Sequence, residues 1–164
     1  MSLGEGSGSE LDFATLEGRD YPSITQFSVF LENRVGKLLE LTRVFRGSKV
    51  KIVGLSIVDS ADCCIVRLIL SHPEQGRELI ERAELAVAEN DLVVVELKNG
   101  PESLVEICAA LIQAELNIHY AYPLIVHPHG RSALALHVDN VSAACQNLRH
   151  KGFELLCEAD LTAS

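Results

Sequence analysis

The feature that most restricts the fold of this sequence is an internal repeat with a spacing of 66 residues. At that offset Asn33 aligns with Asn99, and Val50 aligns with Leu116. The same offset pairs five further apolar positions without a gap: Leu38 with Leu104, Leu41 with Ile107, Phe45 with Leu111, Ile52 with Ile118 and Leu68 with Leu134. A repeat of this length indicates one supersecondary unit built twice. The 164 residues are therefore expected to form two similar units.

Apolar periodicity changes in the same order within each copy. Alternating residues predict four strands per copy, at 24–31, 50–58, 64–70 and 85–88, then at 92–97, 117–126, 131–138 and 153–157. Helical spacing predicts two helices per copy, at 37–46 and 73–83, then at 102–114 and 140–151. The resulting order, βαββαβ, predicts an α+β fold of two ferredoxin-like units in tandem. Each unit would have an antiparallel sheet with its helices on one face.

Changes in composition suggest where the units begin and end. Residues 1–22 are rich in Gly, Ser and Glu at their start, which predicts a flexible leader. The first unit is expected over residues 23–90 and the second over residues 91–164, with a boundary near Asn90. Sheet edges and uncovered faces in such units favour packing between the units and formation of a homodimer.

Charge and cysteine content exclude several classes of function. Fourteen Lys and Arg against 23 Asp and Glu give a net charge of −9, which disfavours binding to nucleic acid or to anionic membranes. No apolar run approaches the roughly 18–20 residues of a membrane span. The five Cys are odd in number and lack CxxC spacing, and no secretory signal is visible. We therefore expect a cytoplasmic protein.

The sharpest local motif is Asn33-Arg34-Val35-Gly36-Lys37-Leu38, between a predicted strand and a predicted helix. A helix N-terminus has unpaired N–H groups and partial positive charge, so it favours a ligand carboxylate. Gly36 has no Cβ and would allow a ligand to approach the backbone closely. The alternative interpretation is an Asx turn that only caps the helix.

Asn-x-x-Gly-x-Leu after a strand, inside a βαββαβ repeat, resembles the ACT domain, and the resemblance covers residues 23–160 as two units. The first unit matches at Asn33, Gly36 and Leu38. In the second unit Asn99 and Leu104 match, but Glu102 stands where the glycine is expected.

This resemblance implies a non-catalytic regulatory protein that binds an amino acid between two units and acts on another protein, such as an enzyme. It implies no cofactor. The first site would use seven residues: Asn33, Arg34, Val35, Gly36, Lys37, Tyr120 and Tyr122. A reciprocal site would set Asn99 against Ile52, Gly54 and Ser56. A carboxylate at Glu102 would repel a ligand carboxylate there.

Two alternatives remain open. His119, His127, His129 and His137 lie near one predicted hairpin and could bind a metal in a metal-sensing variant of the domain. The chain could instead be a ligand-free dimerisation subunit of an amino-acid biosynthetic enzyme. An enzyme is disfavoured, because the sequence has no Gly-rich phosphate loop, GxSxG motif or HExxH motif.

Overall fold

The computed structural model describes residues 21–163, so residues 1–20 of the predicted leader lie outside the described part of the chain. The first unit contains β1 (Ile24–Glu32), α1 (Lys37–Val44), β2 (Ile52–Asp59), β3 (Cys63–Leu70), α2 (Pro73–Arg82) and β4 (Ala86–Glu96). The second unit continues with α3 (Glu102–Gln113), β5 (Ile118–Pro123), β6 (Ala133–Val138), α4 (Val141–His150), β7 (Leu155–Leu156) and α5 (Glu158–Thr162). The α+β order of two ferredoxin-like units is confirmed.

One strand serves both units. The sequence predicts separate strands at 85–88 and 92–97, but β4 runs without a break through Asn90. Its first part pairs with β1, from Ala86 opposite Phe30 to Leu92 opposite Ile24. Its last part pairs with β6 and with β7. The segment contains no Gly or Pro to end a strand, and β1 supplies hydrogen-bonding partners across the expected break, so extended pairing continues.

The strands form one antiparallel sheet in the order β2-β3-β1-β4-β6-β5, with β7 on the other edge of the second half of β4. This sheet curls until its two ends meet. Gly54 of β2 forms a bridge with Leu124, and the N–H of Ile125 donates to the carbonyl of Val53 at 2.8 Å. This contact pairs part of the two edge strands, β2 and β5, and so leaves less unpaired edge in the sheet.

Apolar side chains form three cores around this sheet. One lies between the first half of the sheet and α1 and α2, and a second lies between the second half and α3 and α4. The third fills the inner face of the curl, where Ile24, Leu92 and Leu124 pack together. The helices therefore cover the outer face of each unit, and the two units cover part of each other on the inner face.

The end of the chain differs from the sequence prediction. The expected strand at 153–157 is only two residues long, and α5 follows it. The backbone N–H of Cys157 donates to Oδ2 of Asp160 at 2.8 Å, which stabilises the start of this short helix. A helix of five residues carries too little periodicity to be detected in the sequence.

Candidate functional site

The loop between β1 and α1 is open to solvent. Gly36 occupies the N-cap position of α1 with a φ of 88°, and no side chain caps the helix. That backbone conformation favours glycine, and a Cβ built there would meet no atom within 4 Å. Val35 is fully exposed beside it. The N–H of Lys37 donates to the carbonyl of Arg34 at 3.3 Å. The N–H groups that follow it in the first turn have no intrahelical partner and could bind a small ligand.

Asn33 does not cap α1. Its Nδ2 donates to Oδ1 of Asp59 at 2.7 Å and to the carbonyl of Ser60 at 3.4 Å, in the turn between β2 and β3. The helix-capping interpretation of Asn33 is therefore wrong. The hairpin turn uses the amide hydrogens of Asn33 and holds the loop in place, which leaves its side-chain carbonyl as an acceptor for a ligand.

The two basic residues of the loop have acidic neighbours. Arg34 lies 3.2 Å from Glu32, and Nζ of Lys37 lies 2.9 Å from Oε2 of Glu40. The hydrogen bond from Lys37, together with its charge, holds the pKa of Glu40 below its usual value. Such exposed pairs are weak and easily exchanged, so both cations remain able to contact an anionic ligand.

Tyr120 and Tyr122 lie elsewhere on the sheet. Nε2 of Gln26 donates to the hydroxyl of Tyr120 at 2.8 Å, and the hydroxyl of Tyr122 donates to Oε1 of Gln26 at 2.7 Å. Gln26 lies on β1, seven residues before Asn33, which follows the end of the strand. At about 3.3 Å per strand residue the separation is roughly 23 Å. The structure therefore does not bring these tyrosines to the Asn33 loop of the same chain.

In the equivalent loop of the second unit no side chain caps the helix either, but one side chain binds the loop backbone. The N–H of Asn99 donates to Oγ of Ser103 at 2.9 Å, and Ser103 is buried. Glu102 provides a negative charge in the first turn of α3. Asn99 lines a small cavity of about 150 Å³ together with Lys151 and Phe153.

The residues expected to face Asn99 lie on β2 of the first unit. Ile52 pairs with Leu70, and Ser56 pairs with Arg67. Gly54 contacts Ile69 closely and bridges to Leu124. These contacts place the three residues beside β3 and the end of β5, whereas Asn99 lies beside Lys151 and Phe153.

A polar cluster lies where the two units meet, and the sequence analysis did not predict that its members come together. The junction cluster consists of Gln26, Arg67, Tyr120, Tyr122 and His137. The guanidinium carbon of Arg67 lies 3.8 Å from the ring centroid of Tyr120, and the ring of His137 stacks on Tyr120 at 4.8 Å. Burial raises the pKa of Tyr122 far above its usual value, so it donates as a neutral phenol. The sequence signal was a Gln and an Arg on the alternating pattern of otherwise apolar strands.

The four histidines do not form one metal centre. The rings of His119 and His137 are 5.2 Å apart, and Nε2 of His119 lies 2.6 Å from Oδ1 of Asp139. His129 instead lies 3.2 Å from Asp160 and 3.6 Å from Glu96. Within residues 21–163 no three His, Cys, Asp or Glu side chains come together in a way that could hold a metal ion. Over the same residues, no helix has both the length and the apolar character needed to cross a membrane.

Solved structures share this architecture. Protein BT0572 from Bacteroides thetaiotaomicron is 26% identical and superposes with a TM-score of 0.80, covering 89% of this chain and 100% of that one. The ligand-free regulatory subunit of aspartate kinase from Thermus thermophilus is 17% identical, with a TM-score of 0.51 over 82% of this chain and 95% of that chain. The corresponding subunit from Thermus flavus is 10% identical, with a TM-score of 0.51 over 80% and 93%. Comparison with curated protein sequences gives no significant match.

A protein-family model described as an ACT domain pair matches residues 22–163, which is nearly the whole of the described chain. The expected resemblance, drawn from Asn33, Gly36 and Leu38, is thereby confirmed. This chain belongs to the ACT domain pair family.

Proposed function

We propose that this chain is a non-catalytic regulatory protein of the cytoplasm that binds an amino acid at the Asn33 loop and acts on an enzyme partner. The observation that carries the proposal is the uncapped start of α1, where Gly36 has open space above it and Val35 is fully exposed. Similarity to a regulatory subunit of aspartate kinase supports the regulatory part.

The chemistry of the loop suits a zwitterion. A ligand carboxylate at the start of α1 would accept hydrogen bonds from backbone N–H groups and interact favourably with the helix dipole. The side-chain carbonyl of Asn33 is held nearby by the hairpin turn and can accept from a ligand ammonium. Lys37 and Arg34 provide further positive charge beside the carboxylate.

A second copy of the chain would complete this site. Because Tyr120 and Tyr122 bind Gln26 in the same chain, they do not form the wall opposite the loop. Beside the loop Leu38 is partly exposed and Leu39 is 55% exposed, which leaves an apolar surface around the ligand position. Apposition of a second copy would bury that surface together with the ligand. The proposal therefore places the amino acid between two chains.

The test is a thermal-shift screen of the protein against the standard amino acids, followed by isothermal titration calorimetry on any that stabilise it. Light scattering at each ligand concentration reports the number of chains. We expect one ligand per chain and a dimer favoured by the ligand. If none of the amino acids raises the melting temperature or releases binding heat, the proposal is wrong.

A second candidate, a ligand-free dimerisation subunit, is favoured by apolar residues at equivalent positions of the first helix in each unit. Leu39 of α1 is 55% exposed, and Val105 of α3, related by the offset of 66 residues, is 71% exposed. Burial of both would drive association without a ligand. A dimer that is equally stable with and without every amino acid would favour this candidate.

A further inference from the structure

A row of polar residues crosses the inner face of the first unit beside the junction cluster. In the strand register Arg67 of β3 lies opposite Ser28 of β1 on one side and Ser56 of β2 on the other. Directly opposed residues in antiparallel strands point to the same face of a sheet. Ser56, Arg67 and Ser28, which we term the polar row, therefore share a face with Gln26.

The guanidinium group of Arg67 has unused hydrogen-bond donors. Its flat face lies against the ring of Tyr120, with 3.8 Å between the guanidinium carbon and the ring centroid. Stacking of this kind uses the face of the group and leaves the N–H groups along its edge free to bind an anion in the same plane. Within residues 21–163 the guanidinium of Arg67 contacts the ring of Tyr120 and makes no hydrogen bond or ion pair.

Two neighbours of Arg67 also have unused hydrogen-bonding capacity. Oγ of Ser28 accepts from Nε2 of Gln26 at 3.2 Å, so its own hydroxyl hydrogen remains to be donated. Nδ1 of His137 is buried and has no hydrogen-bond partner in the described part of the chain. Burial, then the electrostatic effects of His119 and Arg67, lower the pKa of His137, while the carboxylate of Asp139 acts in the opposite direction.

The next row of the same face is apolar and open. Phe30 lies opposite Ile65, and Ile65 lies opposite Val58. Contacts from the second unit reach Gln26 and Arg67, but beyond them Phe30 is 42% exposed and Val58 is 38% exposed. The inner face thus places an apolar surface directly beside an unpaired cation, separated by two strand residues or roughly 7 Å.

The far end of this face is acidic. Glu32 lies opposite Cys63 in the following row, and its carboxylate is exposed beside Arg34. A ligand with one negative group at Arg67 and a second at its other end would be repelled by the carboxylate of Glu32. The cation, the apolar row and the acidic end together suit a ligand with one carboxylate at one end. The rest of the ligand would be apolar and about as large as one ring or one branched chain.

We propose that Arg67, the two serines of the polar row and the apolar row of Phe30, Ile65 and Val58 form a binding site for a small apolar carboxylate. The carboxylate contacts the edge of the Arg67 guanidinium and the Ser28 hydroxyl, and the apolar body covers Phe30. This site is separate from the Asn33 loop, so one chain has two ligand positions of different chemistry.

The probe for this site is 3-phenylpropanoate, with neutral 3-phenylpropanamide as its matched control. Isothermal titration calorimetry is expected to show saturable binding of the carboxylate and at least tenfold weaker binding of the amide, because only the carboxylate pairs with Arg67. Equal affinity for the acid and the amide would overturn the proposal.

Three variants locate the binding. Arg67→Gln should weaken 3-phenylpropanoate at least tenfold, whereas Arg67→Lys should retain part of the affinity because it keeps the charge. Phe30→Ser does not touch the junction cluster and should weaken the probe at least threefold. Gly36→Glu should leave the affinity for this probe unchanged. If Gly36→Glu loses affinity for 3-phenylpropanoate and Arg67→Gln does not, the probe binds at the Asn33 loop and the Arg67 site is rejected. That result would not contradict amino-acid binding at the loop.

Discussion

The Asn33 loop and the Asn99 loop occupy the same position in the two units, and no side chain caps the helix that follows either loop, but the two loops are held differently. In the first unit Gly36 precedes α1 with a φ of 88°, no side chain caps the helix, and the loop faces solvent. In the second unit buried Ser103 accepts a hydrogen bond from the N–H of Asn99, and Glu102 places its charge at the start of α3.

Under the proposed function, this difference lets one copy of the repeat lose the binding site while it keeps its fold. A carboxylate at Glu102 gives the helix dipole the negative charge that a ligand would otherwise supply, at a gain of about 0.3–1 kcal/mol. The second loop is then stable without a ligand. In the first unit the acidic residue of the first turn, Glu40, is paired with Lys37 at 2.9 Å, and no side chain caps the start of α1.

The largest expected effect comes from copying the second loop into the first with Gly36→Glu. An amino acid at about 100 times its dissociation constant should stabilise the wild type by roughly 2.7 kcal/mol, or roughly 5–10 °C in melting temperature. The variant should lose this shift, because its carboxylate occupies and repels the ligand position. Thermal-shift measurements with and without the ligand check this.

Gly47 provides a matched control for that experiment. It follows the other end of α1 with a φ of 79°, and a Cβ there would also meet no atom within 4 Å. Gly47→Glu and Gly36→Glu should each lower the free energy of unfolding by roughly 1–2 kcal/mol through backbone strain. Only Gly36→Glu should lose ligand binding. If both variants bind as the wild type does, the loop is not the site.

A second pair of variants compares Ser103 with Lys37, the residue at the same position of the first repeat. Ser103→Ala removes the acceptor for the N–H of Asn99, so chemical denaturation should show a loss of about 1 kcal/mol with ligand binding unchanged. Lys37→Ala should leave the free energy of unfolding nearly unchanged, since its ion pair with Glu40 is exposed. It should instead weaken ligand binding. The reverse pattern would contradict the assignment of an open and a closed loop.

Asn33→Ala distinguishes the structural role of the Asn33 side chain from its proposed role in ligand binding. The variant loses the hydrogen bonds to Asp59 and Ser60, which should cost about 0.5–1 kcal/mol of stability. Calorimetry should show amino-acid binding weakened severalfold but not abolished, because the backbone N–H groups of α1 remain. Asp59→Ala removes the main partner of Asn33 without touching the ligand position. It should reproduce the stability loss with a smaller effect on affinity.

The smallest expected effect is a pH dependence that comes from the junction and not from either loop. The pKa of His137 is lowered in the folded state, mainly by burial. As the pH falls through about 6.5, the unfolded chain takes up a proton at this residue before the folded chain does, so stability decreases. His137→Gln should show a shallower loss of stability between pH 7 and pH 5. A profile identical to that of the wild type would assign the pH dependence to other groups.

Residue patterns predicted most of the architecture and only part of the site. The gapless repeat and the change from period two to helical spacing predicted the order of elements, because those periods report which face of each element is buried. The prediction of separate strands at 85–88 and 92–97 was wrong, because Asn90 and Asp91 between them pair with Gln26 and Thr25 and continue one strand. The Asn33 motif marked a strand-to-helix loop, although it did not show that Asn33 bonds to the hairpin and leaves α1 uncapped.

The sequence by itself determined that this chain forms two ACT-type units, because the periodicity of each copy dictates its own sheet and helices. Tertiary structure alone decided how the units meet. Curling of the shared sheet brings Gln26 and Arg67 of the first unit against Tyr120 of the second. Gln26 and Tyr120 are 94 residues apart along the chain. Contacts at such separations depend on the twist and register of every intervening strand, and local patterning carries no information about that geometry.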